Sequence, residues 1–351
     1  MLLFELEKES VWTALKNSEE PIIMYGTGNG ADKVFEIFGE YGIKVSGVTA
    51  SDGFVRKRRF HGFEVRPISE FEETLGTFTV IVTFGTQIPE VIDNIKGIAE
   101  RHRVLVPCVP VIGNEIYSEA FIEKNEERIN LAYKLLADEK SRSVFKNYIN
   151  FEYSGSPGYL FAAESAEDEA FSCCIPLSDN EVYVDIGAYR GDTADKFVKL
   201  TGGKYKKIIA AEPDSKSFKK LCENCAELKN FEAVNKAVTG YDGFVGFSSL
   251  AGRQSAVGGE NKTECVCLGT LCGENTPSYV KIDSEGCEYE ILDGARDILK
   301  KYRPKLNVAA YHKSADIFEL IILIKTINPE YTVHVRHHPY IPAWDTNIYC
   351  R

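Results

Sequence analysis

The most informative part of the sequence is a glycine-containing turn that follows the apolar run Val182–Val184. Asp185 comes directly after this run, and Gly187 and Gly191 follow at a spacing that lets the backbone turn sharply and approach a ligand closely. Asp192 then stands at the start of a predicted helix, where its side chain suits the N-cap position. A ligand bound here would lie at the carboxyl end of a strand, where open α/β sheets bind nucleosides.

Polar side chains also follow the later apolar runs. Glu212 follows Ile208–Ala211, where a carboxylate can accept both ribose hydroxyls of a nucleoside. Asn235 follows the next run, in a position to flank a base, and the last two runs lead to Asp283 and His312. Because the carboxyl ends of parallel strands meet at one edge of a sheet, these side chains are expected to converge. The residues expected at this crevice are Asp185, Glu212, Asp214, Asn235, Asp283, Glu285 and His312.

The elements that must position these residues follow a pattern that occurs twice. Glycine-rich turns come after apolar runs near Ile22 and near Val182, and each begins a stretch in which apolar runs alternate with amphipathic segments. This alternation predicts α/β architecture with parallel sheets. We expect a Rossmann-like α/β domain over residues 1–112, a helical connector over 113–175, and a second α/β domain over 176–351.

The first turn, Gly26-Thr27-Gly28 with Ala31, follows a predicted strand and precedes a predicted helix. With Asp52 after the second strand, it fits the dinucleotide-binding fingerprint. A glycine-rich turn also serves as a tight connection, so three interpretations stay open. Gly26–Ala31 could hold a nucleotide or nucleotide-sugar, the domain could be a dimerisation module that makes a homodimer or presents substrate, or it could be a scaffold without a ligand.

Composition excludes several classes of protein. The net charge of −11 argues against broad affinity for nucleic acid or for anionic membranes. No apolar run approaches the roughly 20 residues that span a bilayer. The sequence from Met1 to Glu9 lacks the basic region and apolar core of a signal peptide, which predicts a cytoplasmic protein.

Ten cysteines in a chain without an export signal predict reduced thiols rather than a disulfide framework. Cys222 and Cys225 have a zinc-ligand spacing, but they fall on one face of a predicted helix and lack a matching second pair. The sequence therefore predicts no metal site formed by these cysteines.

The C-terminal motifs resemble those of the FkbM family of methyltransferases, in the family's order and over roughly Pro176 to Cys350. The sequence departs from the family pattern at Tyr189-Arg190 and at Cys287, and these changes leave the glycines and carboxylates intact. The motifs that carry the resemblance are Val184–Thr193, Glu212–Asp214, Asn235–Ala237, Val280–Glu288, Tyr311-His312, and the closing segments Tyr331–His338 and Trp344–Tyr349.

The resemblance implies a class I methyltransferase sheet with a closing antiparallel hairpin. It also implies methyl transfer from S-adenosylmethionine (EC 2.1.1.-), usually to a hydroxyl oxygen of a sugar, polyketide or other small molecule. On this basis Asp283, Glu285 and His312 face the acceptor. The expected cofactor-binding residues are Asp185, Gly187, Tyr189, Gly191, Asp192, Thr193, Glu212, Asp214, Asn235 and Asp283.

For a hydroxyl acceptor, His312 is the preferred general base, because its ordinary pKa of about 6.5 lies near working pH. Asp283 or Glu285 could orient His312 or take the proton directly. A histidine after a strand can also be purely structural, and Glu288 and Glu290 are expected only to favour a helix N-terminus. A metal ion could be held by two carboxylates and one histidine, but no spacing requires it, so we predict none.

Two other functions compete with methyl transfer. An NAD(P)-dependent dehydrogenase with two Rossmann units would explain the first turn and Asp52. It explains Asp185 poorly, because an acid before the glycine turn is unfavourable for a pyrophosphate and suits a cationic ligand. A non-catalytic nucleotide-binding protein is the other alternative, since fold alone does not establish activity.

Overall fold

The computed structural model describes residues 1–51, 59–248, 256–257 and 261–351, so the predicted role of Asp52 lies outside the described residues. Its strands form sheets of six, four and seven strands. The six-stranded sheet forms an N-terminal α/β unit, and the seven-stranded sheet forms a C-terminal one. The predicted mixed α/β fold with parallel sheets is confirmed.

The N-terminal unit is a mainly parallel sheet with helices packed against it. Its strands are β1 (Ile22–Tyr25), β2 (Gly47–Thr49), β3 (Arg59–Phe60), β4 (Phe63–Arg66), β5 (Thr79–Val82) and β6 (Arg103–Leu105). Its helices are α1 (Val11–Lys16), α2 (Asn29–Tyr41), α3 (Ile68–Leu75) and α4 (Pro89–Ala99). The strand order is β3-β4-β2-β1-β5-β6, with only β3 antiparallel to its neighbour. Strands β1 and β5 are buried throughout, which explains why their sequences are almost entirely apolar.

A helical segment joins the two units. It comprises α5 (Glu119–Leu135), α6 (Glu139–Ser154), α7 (Pro157–Ala163), the short α8 (Glu167–Glu169) and a π-helix over Ala170–Cys174. Ser118 and Asp138 cap α5 and α6 by accepting backbone N–H groups, and Gly155 ends α6 in the left-handed conformation. The segment also pairs with the C-terminal unit, because the N–H of Ala137 donates to Val333 O at 2.9 Å.

The C-terminal sheet has a parallel centre and an antiparallel edge. Its strands are β7 (Val182–Ile186), β8 (Lys207–Ala211), β9 (Phe231–Val234), β14 (Tyr279–Ile282), β15 (Lys305–Ala309), β16 (Val333–His337) and β17 (Thr346–Cys350). Its helices are α9 (Asp192–Leu200), α10 (Ser215–Asn224), α12 (Glu288–Gly294), α13 (Arg296–Tyr302) and α14 (Asp316–Ile327). The order is β16-β17-β15-β14-β7-β8-β9, and the pairings of β17 are antiparallel. The expected closing hairpin is thus present at one edge.

A third, smaller sheet lies between β9 and β14 in the chain, and the sequence pattern did not predict it. It contains β10 (Ala237–Val238), β11 (Gly243–Ser248), β12 (Ala256–Val257) and β13 (Asn261–Val266), and the short α11 (Leu268–Cys272) follows it. The strand order is β10-β13-β11-β12. Phe244 of β11 is largely exposed, so this sheet lacks the continuous apolar face that makes a strand recognisable.

One hydrophobic core runs through both units and the helices between them. It includes Val80 of β5, Ile149 of α6 and Val280 of β14, each fully buried. The two units therefore share one hydrophobic core. No helix within the described residues is long and apolar enough to cross a bilayer.

The cysteines agree with the prediction of free thiols. All ten lie within the described residues and none is in a disulfide. Cys222 is exposed in α10, whereas Cys225 is buried at the C-cap of this helix.

Candidate active site

The turn after β7 requires a glycine at position 187. Gly187 has a φ of +76°, and a Cβ there would lie 1.8 Å from the carbonyl oxygen of Asp283. The loops that follow β7 and β14 are therefore in direct backbone contact. Gly191 has a φ of +91° and is itself the N-cap of α9, which corrects the expectation that Asp192 would cap this helix. Asp192 is the first helical residue instead.

Asp185 is fully buried and belongs to strand β7. The sequence interpretation had placed this residue at the start of the turn. Its Oδ2 accepts a hydrogen bond from the Thr193 hydroxyl. Its Oδ1 lies 3.5 Å from the ammonium group of Lys281 and has no hydrogen-bond partner among the described residues. Burial raises the pKa of Asp185, while Lys281 opposes this rise. Asp185 therefore lies beneath the turn, with an internal counter-ion.

Lys281 is a site residue that sequence reasoning missed. Its Nζ donates to Gly187 O at 3.0 Å and lies 3.5 Å from Asp283 Oδ2. Burial would lower the pKa of Lys281, but Asp283 and Asp185 outweigh burial and hold the pKa above its usual value. The available signal was a lysine inside the otherwise apolar run Tyr279–Ile282, because a buried strand tolerates a charge only when it is paired.

Glu212 links the turn after β7 to the turn after β8 by hydrogen bonds. It is 7% exposed, and its two carboxylate oxygens accept the backbone N–H groups of Tyr189 and Asp214, each at 2.9 Å. Burial raises the pKa of Glu212 to about 7, against the lowering effect of these hydrogen bonds. Each oxygen keeps a lone pair that a ligand hydroxyl can use.

The two residues expected near a base have local partners. Asp214 caps α10 by accepting the N–H of Ser217 at 2.9 Å. Asn235 is exposed, and its amide nitrogen donates to Glu212 O at 2.8 Å and to Pro213 O at 3.1 Å. Asn235 therefore supports the turn that follows β8.

His312 lies among three carboxylates and is 1% exposed. Its Nε2 is 3.5 Å from Asp283 Oδ1 and 3.5 Å from Glu285 Oε2, and its Nδ1 is 3.0 Å from Glu288 Oε1. Burial would lower the pKa of His312, but the carboxylates, Glu288 foremost, raise it to about 10. These surroundings favour the imidazolium at neutral pH.

Glu288 is the second residue whose role the sequence did not reveal. It is 1% exposed, and its Oε1 accepts the N–H of Ser284 at 2.7 Å and that residue's hydroxyl at 3.0 Å. Although burial raises its pKa, His312 and these hydrogen bonds lower it to about 2. The sequence showed only a helix-favouring acid at the start of α12, and the ion pair with His312 depends on the tertiary fold.

The loop that carries Glu285 has an unusual backbone. Glu285 has a φ of +51° and Gly286 a φ of +96°. A non-glycine residue at positive φ is uncommon and is often found at functional sites. Burial raises the pKa of Glu285 to about 7, against the lowering effect of His312. Tyr311 donates to Asp283 Oδ1 at 3.3 Å and completes this end of the site.

A single cleft of about 1060 Å³ connects these groups with the N-terminal unit. Asp185, Gly191 and Asn235 do not line it. The predicted site residues that do line it are Gly187, Tyr189, Asp192, Thr193, Glu212, Asp214, Asp283, Glu285 and His312, and Gly28, Asn29 and Gly30 line its N-terminal side.

The glycines of the N-terminal turn have a packing role. A Cβ at Gly26 would lie 2.5 Å from Thr83 Oγ1, and one at Gly30 would lie 2.4 Å from Thr83 O. Within the described part of the chain, a Cβ at Gly28 would have no atom within 4 Å. Close contact with the end of β5 thus accounts for two of these glycines without a ligand.

Asp283, Glu288 and His312 offer three ligand atoms within 4.8 Å of one another, the only such group found within the described residues. Metal binding would require His312 to lose its proton, because only neutral imidazole coordinates a metal. The three carboxylates oppose that loss. The absence of a resident metal stays a prediction.

Comparisons with known proteins give one family match and several structural matches. Residues 185–338 match the family model described as the methyltransferase FkbM domain. The chain is similar to the crystal structure of methyltransferase FkbM from Methylobacillus flagellatus KT, with a TM-score of 0.71 and 20% identity over 97% of this chain and 92% of that one. No curated protein sequence matches the chain.

Two further structures match about half of the chain. Fibrillarin from Aeropyrum pernix, in complex with S-adenosyl-L-methionine, has a TM-score of 0.35 and 10% identity over 50% of this chain and 68% of that one. Precorrin-6y C5,15-methyltransferase from Geobacter metallireducens GS-15 has a TM-score of 0.32 and 17% identity over 50% of this chain and 80% of that one. Residues 185–338 are therefore similar in sequence to the FkbM methyltransferase domain, and they lie in the unit that contains the seven-stranded sheet.

Proposed function

We propose that this protein transfers a methyl group from S-adenosylmethionine to a hydroxyl oxygen of a small molecule or sugar. The observation that carries the proposal is the convergence of Glu212 with Asp283, Glu285 and His312 on one cleft. A nucleoside-binding carboxylate and a group of acid–base residues thus share one space. This is the requirement for bringing a bound methyl donor and an acceptor together.

The residues present fit the proposed cofactor. Glu212 is a buried carboxylate with lone pairs left for the two ribose hydroxyls. Gly187 keeps the turn free of a side chain where the loops approach most closely. When bound, S-adenosylmethionine supplies a methyl group on a positively charged sulfur. The carboxylates of the cleft favour a cationic ligand, whereas the two negative charges of a dinucleotide pyrophosphate would be repelled.

Within this proposal, Glu285 accepts the proton of the acceptor hydroxyl. A general base works best when its pKa lies near the operating pH, and Glu285 meets that condition with a pKa of about 7. His312 is already protonated among three carboxylates, so we assign it a positioning role in place of the base role expected from sequence. Its charge pairs with Asp283 and Glu285, which line the cleft.

Calorimetric titration of the full chain tests the cofactor. We expect micromolar affinity for S-adenosylmethionine and S-adenosylhomocysteine, and no comparable affinity for NAD or UDP-glucose. Glu212→Gln should weaken S-adenosylhomocysteine binding by about tenfold or more, because a hydrogen bond to a charged group contributes about 1.5–3 kcal/mol.

The matched control is Glu232→Gln, on the neighbouring strand β9, whose carboxylate pairs with Lys207 at 2.8 Å. Glu232→Gln should bind S-adenosylhomocysteine as the parent does. Tight binding of NAD without binding of S-adenosylmethionine would favour the dehydrogenase alternative. Tight binding of UDP-glucose alone would favour a nucleotide-sugar site at Gly26–Ala31.

Chelation tests the prediction that no metal ion assists. Because His312 is held as the imidazolium, turnover should be unchanged when EDTA is added to the assay. The measurement is the rate of methyl transfer before and after chelation, followed by addition of Mg²⁺ or Mn²⁺. A large loss of rate that either ion restores would show that Asp283, Glu288 and His312 bind a cation.

A further inference from the structure

The cleft is as large as the largest single small-molecule sites. Its volume of about 1060 Å³ exceeds the upper end of the range of about 300–1,000 Å³ in which single small-molecule sites fall. The N-terminal unit lines part of this cleft. Phe84 and Gln87, from the loop between β5 and α4, line this part together with Tyr340 and Trp344, from the loop between β16 and β17.

These two loops are joined by backbone hydrogen bonds. The N–H of Thr86 donates to Ile341 O at 2.7 Å, and the N–H of Ile341 donates to Thr86 O at 2.9 Å. The ring of Trp344 lies on the backbone of Gly85, where a Cβ would stand 2.5 Å from a ring carbon. Tyr340 packs on Trp344 with ring centroids 5.7 Å apart. The aromatic pair is therefore held in a fixed place by the N-terminal unit.

The N-terminal unit also contacts the loops that carry the acid–base residues. The N–H of Ile112 donates to His312 O at 2.9 Å. The side chain of Ile112 packs on Gly286, next to Glu285, at 3.0 Å from the position of a Cβ. These contacts fix the distance between the aromatic pair and Glu285. A molecule that reaches from one to the other meets a preformed site.

We propose that Phe84, Gln87, Tyr340 and Trp344 form an acceptor wall, through which the N-terminal unit selects the methyl acceptor. This inference rests on the proposed function. The chemistry of the wall fits an alcohol that carries a ring. The flat face of the ring packs on Tyr340 and Trp344, whose rings offer apolar area in a preferred geometry. A polar group at its edge hydrogen-bonds the exposed amide of Gln87, and the hydroxyl to be methylated points toward Glu285.

The fluorescence of Trp344 can report the binding of a probe at this wall. The chain has two tryptophans, and Trp12 is buried in the N-terminal unit against Phe38 and Tyr41. In a full-length Trp12→Phe background, Trp344 is the sole tryptophan, and its fluorescence reports contacts at the wall. This protein, saturated with S-adenosylhomocysteine, is titrated with phenyl β-D-glucoside, phenyl β-D-galactoside and trans-cyclohexane-1,2-diol.

We expect a saturable change in Trp344 fluorescence with at least one probe, with a Kd in the millimolar range or below. Gln87→Ala should weaken that binding by about tenfold, which corresponds to the loss of one well-formed hydrogen bond. The control is Glu90→Ala, since Glu90 is exposed in the first turn of α4 and does not line the cleft. It should bind the probe as the parent does.

Two results would overturn the acceptor wall. One is no saturable change with any probe up to about 10 mM, an affinity weaker than about −2.7 kcal/mol. The other is binding that Gln87→Ala leaves unchanged. In either case, calorimetric binding of S-adenosylhomocysteine would leave the proposed function in place. Failure of that cofactor to bind would contradict the proposed function itself.

Discussion

Glu285→Gln is expected to reduce the turnover number by about a hundredfold to ten-thousandfold, the range attributed to a positioned general base. The amide keeps the size and shape of the side chain in its constrained loop, but it cannot accept a proton from the acceptor. Binding of S-adenosylhomocysteine should be unchanged, because Glu285 lies at the acceptor end of the cleft. The measurement is methyl transfer from labelled S-adenosylmethionine to an extract of small molecules, together with calorimetry.

The pH dependence gives this prediction a second readout. A base acts only when deprotonated, so kcat/KM of the parent should rise with pH through about 7, following the pKa of Glu285. This rise should be missing from the residual activity of Glu285→Gln. Glu290→Gln is the matched control, because Glu290 is exposed in α12 and pairs with Lys313 at 3.4 Å. Parent-like turnover in Glu285→Gln would transfer the base role to another residue, with Asp283 the next candidate.

His312→Gln should have the largest effect on stability. The substitution removes the imidazolium and leaves Glu288 buried without its counter-charge, and breaking a buried ion pair typically costs about 3–5 kcal/mol. The quantity to measure is the free energy of unfolding by denaturant at neutral pH. Cofactor binding should persist in the folded fraction, because Glu212 lies elsewhere in the cleft.

The sign of the pH effect follows from the raised pKa. The folded pKa of His312 is about 10 and its ordinary value is 6.5, so the stabilisation is complete below about 6.5 and is lost as pH rises through about 10. The parent should therefore lose stability between about pH 7 and pH 10, and the gap between parent and variant should narrow. A gap that stays constant across this range would contradict the imidazolium assignment.

His337 offers a control with the same type of side chain. It is 1% exposed, and its Nδ1 lies 2.9 Å from the Thr346 hydroxyl. Burial lowers the pKa of His337 to about 3, so it is neutral throughout the relevant range. His337→Gln should change stability by an amount that does not depend on pH between about 7 and 10.

Local spacing was enough to predict the main elements of the fold. Strands β7, β8, β14 and β15 were expected from their apolar runs, because strands covered on both faces exclude polar residues nearly throughout. The glycines at 187 and 191 indicated the turn, since few residues other than glycine adopt a positive φ readily. The small third sheet was missed because its exposed residues carry little of that signal.

The sequence alone determined the parallel sheets, the glycine turn, the FkbM resemblance and the set of polar residues at the strand ends. These properties depend on neighbours in the chain, where periodicity and backbone preference act. Only the tertiary structure decided that Lys281 neutralises Asp185, that Glu288 joins Asp283 and Glu285 around His312, and that the N-terminal unit closes the cleft. Burial and partner charges set the protonation of these groups, and they come from segments far apart in the chain. The sequence therefore indicated His312 as a general base, whereas its surroundings in the folded protein favour the positively charged imidazolium.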